Sequence, residues 1–150
     1  PHWGNASASF RFRIEDVAAA GVFVALRVSP MSGFPCPTNL RGAYLVVRLD
    51  GTIEFANSTY AIDGADRPPA SGAPPLDIKL NVWYALKVVV DDSALRFTLR
   101  SGTGAVMRRG NCTLDELGSP AAGQFAVGLV DYGGAAIDDL FVSGSPAYID

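Results

Sequence analysis

Histidine and glutamate are nearly missing from this chain. Its 150 residues hold one histidine, His2, and three glutamates, Glu15, Glu54 and Glu116. A lone histidine beside the terminus gives no support to a Ser-His-Asp or Cys-His arrangement, which needs a positioned imidazole. Glycoside hydrolysis needs two carboxyl groups held about 5–9.5 Å apart across the scissile bond. No two glutamates stand two residues apart, the spacing that would aim both from one face of a strand. The chain is therefore read as non-catalytic. No spacing fits a zinc site or a phosphate loop.

Charge is also scarce. Charged residues make up 18% of the chain, and its 12 basic residues are spread along it, leaving a formal net charge of -3. Nucleic acid and anionic membrane surfaces are not expected partners of such a chain. No apolar run approaches the roughly 20 residues that a membrane helix needs. The chain opens at Pro1 with neither an initiator methionine nor a signal-like apolar stretch. A processed product or a piece of a longer protein is expected to look this way.

Only two cysteines occur, Cys36 and Cys112, both expected in loops bordered by glycine or proline. Two unrelated thiols are one reading of them. The asparagines favour another. Three of the five, Asn5, Asn57 and Asn111, open an Asn-X-Ser/Thr acceptor sequence. Composition alone would give roughly 0.6 such sequons. The excess points to the secretory pathway, where a Cys36–Cys112 disulfide would persist. Closing a loop of about 75 residues, it would contribute roughly 4–5 kcal/mol in the chain-entropy model.

What the chain has in quantity is apolar sequence cut by turns. Apolar residues reach 49%, with 16 glycines and ten prolines. This suits one compact domain over residues 1–150. In 83–100, WYALKVVVDDSALRFTLR, Tyr84, Leu86, Val88 and Val90 share one parity. After the polar turn 91–93, Leu95, Phe97 and Leu99 share another, and Arg96, Thr98 and Arg100 face water or a ligand. Trp83 is expected to cover one end of the core.

Further strands are predicted at 7–15, where Phe10, Phe12 and Ile14 alternate with Arg11, Arg13 and Glu15, and at 21–29. Strands at 43–49 and 52–56 flank Asp50-Gly51, the signature of a two-residue type I′ hairpin. Shorter strands are expected at 60–62, 77–80 and 105–108, a helical turn at 114–117, and a last pair at 124–130 and 136–142. Segment 63–76 holds four prolines and reads as a surface loop. Ten or eleven short strands without a convincing helix imply an all-β antiparallel sandwich or jelly roll.

The Trp83-Tyr84-x-Leu86 start, the run 123–128 and the tail Ile137-Asp138-Asp139-Leu140-Phe141-Val142 resemble concanavalin A-like, laminin-G-like jelly rolls. Residues 21–28 and 55–60 narrow this. They resemble the C-terminal lectin-like domain of the galactocerebrosidase (galactosylceramidase) family, which also carries a sequon matching Asn57 and a start like Trp3-Gly4-Asn5. The resemblance implies a non-catalytic domain packed on a separate catalytic barrel, helping to wall a glycolipid or galactoside pocket in a lysosomal or extracellular enzyme. The whole enzyme would hydrolyse a β-galactosyl bond. No cofactor is implied beyond a structural calcium ion, which the superfamily often holds on the aspartate matching Asp138. Asp138 accepting backbone N–H bonds, with Asp139 in water, is the other reading. A free carbohydrate-binding module and a laminin-G-like protein-interaction domain are the alternatives. For sugar contact the candidates are Trp3, Tyr44, Tyr60 and Tyr132 as stacking rings, with Arg48, Gln124 and Asp131 beside them.

Overall fold

The computed structural model of the chain describes residues 2–17, 21–30, 40–58, 74–114, 123–130 and 134–147. Through these run β1 (His2–Ile14), β2 (Gly21–Pro30), β3 (Leu40–Arg48), β4 (Ile53–Ser58), β5 (Tyr84–Asp91), β6 (Ala94–Ser101), β7 (Val106–Thr113), β8 (Gln124–Val130) and β9 (Ala135–Ala147). All pairings are antiparallel. One sheet has the order β7-β6-β5-β1-β9 and the other β4-β3-β2-β8. The fold is the expected all-β jelly-roll sandwich. No helix among the described residues is long and apolar enough to cross a membrane.

Alternation decides which side of each strand meets the core. Phe10, Phe12 and Ile14 of β1 point inward with Leu86 and Val88 of β5 and Leu95 and Leu99 of β6. Val22, Val24 and Leu26 of β2 face them with Leu45 and Val47 of β3. Each such side chain stabilises the fold by roughly 1.5–3 kcal/mol through burial. Phe97 fills the space beside Gly110, where an added Cβ would lie 2.6 Å from its ring. That close fit keeps a glycine inside β7.

Several expected boundaries shift. The hairpin at Asp50-Gly51 is not a two-residue type I′ turn: only Gly51 has a positive φ, of 89°. The Arg48 N–H donates to the Thr52 carbonyl and the Gly51 N–H to the Arg48 carbonyl, giving a three-residue loop. Residues 77–80 form no strand. They cross one end of the sandwich, where the Tyr84 hydroxyl accepts from the Lys79 N–H at 2.9 Å and Ile78 is buried. β7 runs on through Asn111 and Cys112, so Cys112 lies on a strand opposite Leu95, half-buried against the core, and not in a loop. Cys36 and the expected strand at 60–62 lie outside the described residues, as does the 114–117 turn beyond Leu114.

Two bulges have the same construction. β2 carries one extra residue, Arg27 at φ 57°, relative to both β3 and β8. β9 carries one extra relative to β1, with Asp139 at φ 54°. Non-glycine residues seldom occupy this region, and a bulge re-aims the side chain it holds. Arg27 Nε donates to the Gly4 carbonyl at 2.9 Å and Nη2 to Asn5 Oδ1 at 3.3 Å. Burial lowers the Arg27 pKa from its ordinary value, and nearby Asp92 pulls it back up. Asn5 itself spans to the β5–β6 turn, with Oδ1 accepting the Asp92 N–H at 2.8 Å and Nδ2 donating to Asp92 Oδ1 at 3.1 Å. Arg27 is thus a structural tie. Asp139 is aimed elsewhere.

Candidate functional site

The five-stranded sheet turns a polar surface outward. In-register pairing sets its outward residues in rows across the strands. One row runs Ser9, Lys87, Thr98, Arg109, and the next runs Ser7, Val89, Arg96, Asn111. A third joins Arg11, Ala85 and Arg100. The basic residues that look scattered in the sequence are therefore gathered by the fold.

A shallow groove of about 210 Å³ lies on this face, over small Ala85, walled by Ser9, Arg11, Lys87, Thr98, Arg100 and Asp139. The β9 bulge places Asp139 there, its Oδ2 lying 3.6 Å from Arg11 Nη1. The side chains are 43% and 69% exposed, so this pair adds at most about 1 kcal/mol. Arg100 Nη1 donates to the Gly104 carbonyl at 2.9 Å, which fixes that guanidinium at the rim. The groove combines hydroxyls, cations and one carboxylate, groups suited to hydrogen bonding a polyol.

Trp83 borders the same face instead of capping the core. The guanidinium carbons of Arg11 and Arg13 each lie 4.8 Å from its ring centroid. The half-buried ring is thereby engaged by two cations and is not an open stacking platform.

The outward side of the four-stranded sheet is of a different kind. Ala25, Val28, Tyr44, Val46 and Ala56 are buried there, with Phe23 and Ala126 packed against them. The Phe23 and Tyr44 rings sit 5.6 Å apart. Gly128 admits the Phe23 ring, since an added Cβ would lie 2.4 Å from it. Arg48 Nε donates to Glu54 Oε2 at 3.0 Å, and both side chains are at most 7% exposed. Tyr44 and Arg48, both candidates for sugar contact, are thus interior groups.

Of the other candidates, Gln124 is exposed at the start of β8, and Trp3 lies in β1 with its side chain outside the described set. Tyr60, Asp131 and Tyr132 also lie outside the described residues. Asn57 and Asn111 are exposed on β4 and β7, whereas the amide of Asn5 is held by Asp92 and Arg27. Glu54 is committed to Arg48 and Glu15 to Arg13. Asp138 is exposed, and its Oδ1 accepts the Asp139 N–H at 2.9 Å. Its cross-strand neighbour is the cation Arg11. Among the described residues no three His, Cys, Asp or Glu groups gather as metal ligands. Sequence reasoning missed the groove residues on β1 and β5 and the role of Asp139. Their outward parity was readable, but the register that makes them neighbours was not.

No family model matches the chain, and no curated protein matches it. Solved structures do. A carbohydrate binding module from Bacillus subtilis superposes with a TM-score of 0.63 at 13% identity, covering 96% of this chain and 78% of its own. A protein of Parabacteroides distasonis, described provisionally as a glycosyl hydrolase, gives 0.57 at 11% identity, over 97% of this chain and 74% of its own. A galectin from Caenorhabditis elegans gives 0.53 at 16% identity, over 94% and 84%. At such identities the likeness is one of fold.

Proposed function

We propose that this chain is a non-catalytic, lectin-like carbohydrate-binding domain. The observation that carries this is the groove on the five-stranded sheet, where Ser9, Thr98, Arg11, Lys87 and Asp139 converge over Ala85. The jelly-roll fold, shared with a carbohydrate binding module and a galectin, supports it. Binding of the chain to a glycan array is the expected result. Silence across neutral and acidic glycans alike, from a folded sample, contradicts the reading.

The finer reading places the domain as an accessory unit of a glycoside hydrolase of the galactocerebrosidase type, packed on a catalytic barrel. The sequence resemblance supports it, as does apolar surface on the edge strand β9, where Leu140 is 51% and Phe141 64% exposed. The coding sequence around Pro1 tests this: a barrel with paired catalytic carboxylates upstream supports it, and tandem jelly rolls contradict it. The same β9 surface favours a second reading, a laminin-G-like protein-interaction domain, in which a protein partner covers Ile137, Leu140 and Phe141. Substituting Leu140→Ser and Phe141→Ser, which adds no charge beside Ser9, would then abolish capture of that partner.

Secretion fits this picture, with a glycan on Asn57, on the other sheet from the groove, and a Cys36–Cys112 bridge. Intact mass of the secreted protein, before and after glycosidase and under non-reducing alkylation, tests all three. Two alkylatable thiols would remove the bridge.

A further inference from the structure

Six of the 12 basic residues meet on one face although the chain carries a net charge of -3. They are Arg11 and Arg13 on β1, Lys87 on β5, Arg96 and Arg100 on β6, and Arg109 on β7. Among the described residues no carboxylate pairs with Lys87, Arg96, Arg100 or Arg109. The carboxylates of this face stand at its margins: Asp138 and Asp139 beside Arg11, Glu15 on Arg13, and Asp91 at the β5–β6 turn. Strand geometry sets the spacing of the cations. Arg11 and Arg100, like Lys87 and Arg109, are separated by one strand and so lie about 10 Å apart at Cα. Lys87 and Arg100, on adjacent strands and two residues out of register, lie about 8 Å apart. Like charges held this way repel one another, and the face gains most from a ligand that brings anions at similar intervals.

We propose that this face binds an acidic polysaccharide, sulfated or uronate-bearing, laid across β1, β5, β6 and β7. This rests on the carbohydrate reading and names the class of sugar. Guanidinium forks match the paired oxygens of sulfate and carboxylate. Between the cations stand Ser7, Ser9, Thr98 and Asn111, which offer hydrogen bonds to ring hydroxyls. The same layout disfavours other polyanions. Among the described side chains the indole on this face, Trp83, is engaged by Arg11 and Arg13 and offers nucleic-acid bases no open platform. The exposed apolar side chains Val106 and Phe141 stand on the edge strands, opposite Arg100 and Ser9, and not between the cations, where they would have to be to seat the face in a membrane. β1, β5 and β6 have both edges paired, so an acidic peptide gains no strand pairing over the centre of the face.

Titration with heparin and dextran sulfate tests the assignment, against neutral dextran, lactose, polyglutamate and phosphatidylserine vesicles. The sulfated chains bind, and their affinity falls about tenfold or more for a fourfold rise in salt. The triple variant Lys87→Ala/Arg96→Ala/Arg109→Ala keeps its melting temperature and loses about tenfold or more in affinity, as expected when several phosphate-like contacts go. Lys79→Ala, an exposed cation away from this face, leaves binding unchanged. Binding to lactose or dextran that the triple variant retains, with no response to heparin, overturns the acidic specificity while keeping the carbohydrate reading. Equal binding of polyglutamate or vesicles overturns the choice of a glycan. No binding to any saccharide overturns both.

Discussion

The two sheets share one core but turn opposite chemistries outward. Beyond β2, β3, β4 and β8 lie the rings of Phe23 and Tyr44 and a buried Arg48–Glu54 pair. Beyond β1, β5, β6 and β7 lie hydroxyls and cations with few partners. Both strand sets alternate apolar inward residues equally well, so the difference rests on the outward positions alone. Where those are apolar or internally paired, burial turns them into stability. Where they are polar and unpaired, the sheet presents a surface whose energy is realised only with a ligand.

Substitutions can break or sharpen this contrast. The largest effect is expected at Tyr44: Tyr44→Ala removes a ring packed on Phe23 and should cost about 3–5 kcal/mol in chemical denaturation. Glu54→Ala removes the buried carboxylate that accepts from Arg48 Nε, at a cost of about 3 kcal/mol. On the other sheet Trp83→Ala removes two cation–ring contacts and should lower stability by about 1–2 kcal/mol. Single changes Lys87→Ala, Arg96→Ala or Arg109→Ala should move stability by no more than about 0.5 kcal/mol while weakening ligand binding. A large stability loss at these last positions would erase the distinction between the faces.

Much of the sandwich was legible from periodicity. The inward parity of Phe10, Phe12 and Ile14, and of the 84–99 hairpin, is visible in the sequence because a half-buried strand must alternate. β7 was harder to read. It is an edge strand with polar outward residues and an internal Gly110, and only the Phe97 ring explains that glycine. Tyr44 and Arg48 looked like ligand contacts because aromatic and charged residues on a strand say nothing about which sheet covers them. The groove was least legible of all. Ser9, Lys87 and Thr98 are separated by long stretches of chain, and only the β1–β5–β6 register makes them neighbours. Asp139 reaches them through a bulge, and one extra residue in a strand leaves no mark on composition or alternation beyond its own position.

Backbone amide NMR shifts during titration with a heparin tetrasaccharide place the ligand on one face or the other. The account predicts perturbations at Ser9, Arg11, Lys87, Thr98, Arg100 and Arg109, with β3 and β4 unmoved. Shifts confined to Tyr44, Arg48 and Glu54 would contradict it.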